Sequence, residues 1–169
     1  CTDVYVSIAK INSGNARLSD YEILKIKNVT EENYVFVNSY LRGNDTTDLE
    51  SIQAKVNEAV SEFGAIKRIN EGVASIDDYK NIIGTDYAVD AETGERVEVP
   101  YVNSNNINYI NGLIKDKGYT TPSAIKRFVL IAIEEFDSLE RITKGEALLS
   151  DYTDLEISDV TSENLAYVN

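Results

Sequence analysis

An Asp-Tyr dipeptide occurs three times in the chain, and other residues share the distances between its copies. The copies are Asp20-Tyr21, Asp78-Tyr79 and Asp151-Tyr152, which lie 58 and then 73 residues apart. The glycines with the same separations are Gly14, Gly72 and Gly145. Downstream the order is 73 and then 58, for Asn33, Asn106 and Asn164 and for Asn38, Asn111 and Asn169. One insertion of 73 − 58 = 15 residues reconciles both orders, so the sequence predicts three copies of one unit.

The bounds of the three units follow from the alignment and from turn signals. Residues 26–38 match residues 157–169 without a gap. Turn-like segments lie at Gly43-Asn44-Asp45 and at Lys117-Gly118-Tyr119. The predicted units are therefore residues 1–43, 44–117 and 118–169, and the first helix of the first unit is shortened.

Each unit is predicted to contain three helices, helix A, helix B and helix C. In helix A, apolar residues recur at steps of three and four, which places them on one face. They are Leu49, Ile52, Val56, Val60, Phe63, Ile66 and Ile69 in the second unit and Ile125, Phe128, Val129, Ala132, Phe136, Leu139 and Ile142 in the third. We expect Phe63 and Phe136 to pack on helices B and C of their own unit. The predicted fold is all-α, with three tandem three-helix units and a β-hairpin inserted in the second.

Capping residues mark the ends of these helices. Helix A is predicted to begin at the capping box Thr47-Asp-Leu-Glu50 and at Thr121 before Pro122. The predicted caps of helix B are Ser19, Asp77 and Ser150, and those of helix C are Thr30 and Thr161. Gly72 and Gly145 fit the left-handed position that ends a helix.

The recurring polar and aromatic residues are assigned to caps and core, because every unit has to fold. Tyr21, Tyr79 and Tyr152 are interpreted as packed aromatics with the hydroxyl at the rim, each beside Asp20, Asp78 or Asp151. Asn33, Asn106 and Asn164 are interpreted as capping residues. Two alternatives remain for Asn38, Asn111 and Asn169: a hydrogen bond to the next helix A, or plain exposure.

The insertion in the second unit differs in kind from the helices. Residues 86–101 alternate apolar and polar positions around Glu92-Thr-Gly-Glu95, which predicts a β-hairpin. Its candidate binding residues are Tyr87, Arg96 and Tyr101, since aromatic and arginine side chains are favoured at recognition surfaces. Its candidate Ca²⁺ ligands are Asp86, Asp90, Glu92 and Glu95, because hard oxygen ligands suit this ion.

Composition excludes several function classes. The 16 basic and 29 acidic residues give a net charge of −13, which disfavours nucleic acid as a partner. The chain has no His, the usual general base, so an enzyme is not expected. Its single Cys, Cys1, is either a lipidated terminus or the boundary of a fragment. No apolar run approaches the roughly 20 residues of a membrane span, and no cofactor is expected apart from the candidate Ca²⁺.

The repeated phrase Leu18-Ser-Asp-Tyr21 … Val29-Thr-Glu-Glu-Asn33 … Val37-Asn38 resembles the tandem helical repeats of very large bacterial surface proteins of the adhesin type. The third copy, from Leu149 to Asn169, resembles them most closely. This resemblance implies a cell-surface or extracellular location, a spacer, linking or filament-forming role, and other repeats of the same kind as partners. It brings no catalytic residue.

Two functions are therefore expected from different classes. The first is a non-enzymatic structural or adhesive module on a bacterial surface, in which units link head to tail. The alternative is a module, with Cys1 as a lipoprotein terminus, that binds a surface protein or a glycan through the hairpin.

Overall fold

The computed structural model describes residues 2–169, and Cys1 lies outside the described residues. Over that range the chain is mostly helical with one small antiparallel sheet, which confirms the predicted helical class with a hairpin. The helices are α1 (Thr2–Ser13), α2 (Leu18–Ile23), α3 (Tyr34–Leu41), α4 (Leu49–Glu71), α5 (Ile76–Ile83), α6 (Ile107–Ile114), α7 (Pro122–Lys144), α8 (Leu149–Asp154) and α9 (Leu165–Val168). The strands are β1 (Thr85–Val89) and β2 (Arg96–Pro100). Within residues 2–169, no helix is both long enough and apolar enough to cross a membrane.

The packing divides the chain inside α4. Residues up to Gly64 form one compact unit, and Ala65–Asn169 form the other. The predicted sequence units break instead at the loops after residues 43 and 117, and those bounds stay a prediction. Below, α4 and α7 are called the long helices, and α2–α3, α5–α6 and α8–α9 are called the first, second and third helix pairs.

In the amino-terminal unit, the first half of a long helix covers α1 and the first helix pair. Ile52, Val56 and Ala59 of α4 are fully buried in one apolar cluster. Their neighbours in that cluster are Ile8, Ile11, Ala16, Tyr21, Leu24, Val37 and Leu41. Phe63, which we expected to pack within residues 44–117, lies instead against Phe36 of α3, with ring centroids 5.6 Å apart. The reason is that the apolar face of this half of α4 covers the helix pair that precedes it.

The carboxy-terminal unit repeats this arrangement with the second long helix. Helix α7 contacts α5, α6 and α8. Ile125, Val129 and Ala132 are buried, and Phe136 lies against Tyr109 of α6 with ring centroids 5.5 Å apart. Phe136 therefore also contacts the preceding helix pair rather than its own, contrary to the prediction.

Both long helices present the same residues at the same spacing. Ile, Val, Ala and Phe occupy positions 52, 56, 59 and 63 of α4 and positions 125, 129, 132 and 136 of α7. We call this set the apolar stripe. The steps of four, three and four place all of its members on one face of each helix.

Several predicted helix starts are shifted by a few residues. Helix α4 is capped by Asp48, whose carboxylate accepts from the Ser51 N–H at 2.9 Å, rather than by Thr47. Helix α7 begins as predicted, with Thr121 accepting from Ala124 N–H ahead of Pro122. Helix α3 begins at Tyr34 instead of Thr30, because residues 31–33 form a turn.

The inserted hairpin has a regular register. Thr85 pairs with Pro100, Tyr87 with Glu98 and Val89 with Arg96. At the turn, the Asp90 N–H donates to the Glu95 carbonyl and Gly94 has a φ of 72°. This left-handed angle is one that glycine adopts without steric cost.

Candidate functional site

The three recurring tyrosines make the same pair of hydrogen bonds through an asparagine. Each hydroxyl donates to an amide oxygen, at 2.7 Å for Tyr21 to Asn38, 2.8 Å for Tyr79 to Asn111 and 2.6 Å for Tyr152 to Asn169. Each amide nitrogen then donates to a loop carbonyl, at 2.7 Å for Ala16, 2.9 Å for Ala74 and 2.8 Å for Ala147. These bonds stay within one predicted unit, so the predicted bridge from the asparagines to the next helix A is wrong. They hold the two helices of each pair to the loop before them.

The aspartates of the three dipeptides each have two roles. Each carboxylate accepts from the backbone N–H three residues earlier, at 2.8 Å for Arg17, 2.9 Å for Ser75 and 2.7 Å for Leu148. Each also pairs with a cation on the helix before it, Lys10 for Asp20, Arg68 for Asp78 and Arg141 for Asp151. These carboxylates therefore replace the predicted helix B caps Ser19, Asp77 and Ser150.

The environment of these carboxylates favours their charged form. The hydrogen bond from Arg68 lowers the pKa of Asp78 to about 2 and outweighs the opposing effect of burial. Burial raises the pKa of Asp20, but the hydrogen bonds from Lys10 and from the Arg17 N–H bring it below the usual range. The Arg141 guanidinium holds the pKa of Asp151 well below its usual range. Each carboxylate is thus an ion-pairing cap rather than a proton donor or acceptor near neutral pH.

Burial has the opposite effect on two of the tyrosine hydroxyls. It raises the pKa of Tyr21 and Tyr79 well above the ordinary value, and the neighbouring aspartate adds to the shift. Each hydroxyl therefore remains a protonated donor to its asparagine. This is the opposite of what a nucleophilic or basic tyrosine needs.

The asparagines at the start of the second helix in each pair confirm the capping interpretation. Their amide oxygens accept backbone N–H groups, at 2.8 Å from Thr30 to Asn33, 2.9 Å from Asn103 to Asn106 and 2.7 Å from Thr161 to Asn164. Their amide nitrogens donate back to the carbonyls of Asn28, Tyr101 and Asp159. Each asparagine thereby closes the turn that leads into α3, α6 or α9.

The recurring glycines fit where backbones approach closely. Gly14, Gly72 and Gly145 have φ values of 72°, 70° and 71°. A Cβ at these positions would lie 2.8 Å, 2.7 Å and 2.8 Å from the carbonyl oxygens of Asn38, Asn111 and Asn169. Glycine is therefore required both by the backbone angle and by the space.

Two sets of network residues escaped the sequence analysis, although their spacing would have revealed them. The cations Lys10, Arg68 and Arg141 are separated by 58 and 73 residues, and so are Ala16, Ala74 and Ala147. The first set is hidden by the change from Lys to Arg, and the second contributes only backbone carbonyls. Matching spacing alone, without residue identity, was the usable signal.

The hairpin residues proposed for binding are only partly brought together. The Arg96 guanidinium lies 4.3 Å from the ring centroid of Tyr87, whose side chain is half exposed. Tyr101 lies at the base of the hairpin, where the Lys126 ammonium is 4.9 Å from its ring centroid. Tyr87 and Arg96 thus form one exposed pair, while Tyr101 is engaged by α7.

The predicted Ca²⁺ ligands do not form a site in the described part of the chain. Over residues 2–169, no group of three or more carboxylates is placed to hold a metal ion. Asp90 instead accepts from the N–H groups of Glu92 and Thr93 at 2.9 and 2.8 Å, which organises the turn. Since a strand rises about 3.3 Å per residue, Asp86 lies roughly 13 Å along β1 from Asp90. The Ca²⁺ prediction is therefore not supported for Asp86, Asp90, Glu92 and Glu95.

Comparisons with protein-family models, curated proteins and solved structures find no match to this chain.

Proposed function

We propose that the chain is a non-enzymatic structural or adhesive repeat module that spaces, links or assembles on a bacterial surface. Its three units are copies of one helical design, and each unit is joined to the next by a long helix. No catalytic residue and no cofactor enter the proposal. The partners are other repeats of the same kind.

The observation that carries this proposal is the recurrence of whole interaction sets in phase with the sequence. The tyrosine, asparagine and alanine bonds occur three times, as do the aspartate ion pairs. The apolar stripe occurs twice, each time on the helix pair that precedes it. A chain in which each unit is completed by the next grows in one direction, as solenoid repeats do.

The chemistry of the recurring residues supports a structural role better than a catalytic one. Their hydroxyls, carboxylates and amides are all paired to one another and to backbone groups. Catalytic groups need pKa values matched to proton transfer near the working pH. Here the carboxylate pKa values are lowered and those of Tyr21 and Tyr79 are raised, away from that range.

The surface location is supported by the resemblance to adhesin-type repeats and by the acidic composition, which favours solubility. It is tested by adding a protease to intact cells of the source organism and identifying the released peptides. We expect peptides of this chain to be released while a cytosolic marker stays uncut. Protection of the chain until the cells are lysed would contradict the surface location. A deletion strain with unchanged attachment would contradict the adhesive role.

A second candidate function is favoured by the exposed hairpin, which only the second unit carries. The Tyr87–Arg96 pair and the side chain of Val89, which is 70% exposed, offer an aromatic, a cation and an apolar contact side by side. Such surfaces suit a protein or glycan ligand. Replacing residues 86–101 by a short turn should abolish attachment if the hairpin binds the ligand. Unchanged attachment by the folded deletion variant would leave spacing and linking as the function.

A further inference from the structure

The third helix pair has an open face where the first two pairs are covered. Val37 of the first pair and Ile110 of the second are fully buried, whereas the matching Val168 is 45% exposed. Phe36 and Tyr109 each lie against a phenylalanine of a long helix. Tyr167 holds the matching position in the third pair and is 94% exposed.

The internal contacts of the third pair are nevertheless complete. Tyr152 makes its hydrogen bond to Asn169, and Asp151 its ion pair with Arg141. Tyr152 is 3% exposed, close to the 1% of Tyr21 and Tyr79. The open face is therefore a formed surface rather than an unfolded end.

We propose that this open face binds the amino-terminal half of another long helix that carries the apolar stripe. The structure contains this interaction twice within the chain, once on each of the other two helix pairs. In both cases the occupant presents Ile, Val, Ala and Phe at the same spacing, with the phenylalanine against the aromatic residue of the pair. The inference rests on the proposed repeat function, because it assigns the occupant to another repeat of the same kind.

Charge complementarity selects a helix of the α7 type over one of the α4 type. Residues 146–169 contain six acidic residues and no basic residue. The stripe-bearing half of α7, residues 122–136, has two basic and two acidic residues, whereas residues 49–63 of α4 have one basic and three acidic. An acidic face attracts the first more than the second.

One position of the open face makes this preference specific. In the second helix pair, Lys126 of the covering helix lies over the ring of Tyr101. The residue of the third pair that matches Tyr101 is Asp159, since both carbonyls accept from the capping asparagine of their pair. An α7-type helix therefore places its lysine beside an aspartate of the third pair, where opposite charges attract.

The test extends the full chain in register with its own sequence. Because Asn111 and Asn169 hold matching positions, residues 112–140 are appended directly after Asn169. Hydrogen exchange is then measured at the amides of α8 and α9. We expect exchange there to slow by about tenfold or more, since local protection follows the free energy of local opening.

Matched extensions separate the stripe from mere added length. An extension of the same length with Val129→Asp in the appended copy alone should give no protection. An extension with residues 39–64, which carries the α4 stripe, should protect less than the α7 type at low salt. Asp159→Asn should reduce that difference. Equal exchange in the extended and unextended chains, or equal protection by the Val129→Asp extension, would overturn the inference.

A second copy of the chain is the competing occupant, because Tyr5 of α1 matches Phe63 and Phe136 and is 70% exposed. Sedimentation equilibrium of the unextended chain tests it. Self-association that is lost in both Tyr5→Ser and Tyr167→Ser would show that a second copy covers the face, and would overturn the assignment to a stripe-bearing helix. These results concern only the docking face. The protease test on intact cells decides the surface function separately.

Discussion

The first and third helix pairs share their polar bonds but differ in burial, and this difference separates two sources of stability. Tyr21 and Tyr152 both donate to an asparagine, and Asp20 and Asp151 both pair with a cation. Asn38 is nevertheless 8% exposed, whereas Asn169 is exposed. The bonds follow from residues within one unit, while the burial comes from the stripe of the following long helix. Matched substitutions in the two pairs therefore measure what the covering helix adds.

The largest expected difference is at the packed isoleucine of the helix that precedes each pair. Ile11 is fully buried, and the matching Ile142 is only half-buried. Ile11→Ala should cost about 2–5 kcal/mol of local stability, because it leaves a cavity in a closed core. Ile142→Ala should cost clearly less, since its site is partly open. Hydrogen exchange at α2 and at α8 reports each site separately. Equal costs would mean that the covering helix does not set burial.

The next effect is at the tyrosine hydroxyls, which the chain offers as a matched pair. Tyr21→Phe leaves the buried amide oxygen of Asn38 without its donor, which should cost about 1–3 kcal/mol. Tyr152→Phe should cost less, because the exposed Asn169 can take a water molecule instead. Denaturant unfolding followed at each pair checks the order. A larger cost for Tyr152→Phe would contradict the role assigned to burial.

Much of this architecture could be predicted from the sequence, because it is local. Helix starts such as Thr121-Pro122, the left-handed glycines and the hairpin all follow from short-range patterns. The partners of Phe63 and Phe136 could not be predicted, since an apolar stripe shows which face is buried but not which helices it covers.

The candidate site shows the same limit. The capping role of Asn33 followed from its position at a helix start, whereas the bond from Tyr21 to Asn38 joins two helices. The failed Ca²⁺ site has a related cause. Four carboxylates close in sequence are separated along a hairpin, and its turn uses Asp90 for its own hydrogen bonds.

Glycine substitutions sharpen the comparison between close approach and backbone angle. Gly14→Ala should cost about 1–2 kcal/mol from its left-handed angle alone, and more because the new Cβ would lie 2.8 Å from the Asn38 carbonyl oxygen. Gly43 is the control, since its φ is 85° and a Cβ added there would meet no atom within 4 Å beyond its chain neighbours. Gly43→Ala should therefore show the angle cost only. Equal thermal destabilisation by the two substitutions would show that the close approach relaxes freely.

The smallest expected effect is the pH dependence carried by the aspartate ion pairs, and Asp78 is the best probe of it. Its pKa falls from 3.8 to about 2 because Arg68 and the Ser75 N–H bind the charged form. A lowered pKa means that the folded state holds the proton less tightly than the unfolded state. The contribution of Asp78 is therefore fully present above pH 3.8 and is lost as the pH falls towards about 2.

Asp78→Asn removes this titration, so the variant should lose less stability than the unsubstituted chain between pH 3.8 and about 2. Its exposed neighbour Asp77, substituted as Asp77→Asn, is the control and should keep the full pH slope. Urea unfolding, followed by hydrogen exchange at α5 across this range, makes the measurement. The effect should be small because Arg68 is 47% exposed and its attraction for the carboxylate is screened by water. A pH slope unchanged by Asp78→Asn would show that the ion pair, although it recurs three times, positions the helices without stabilising them.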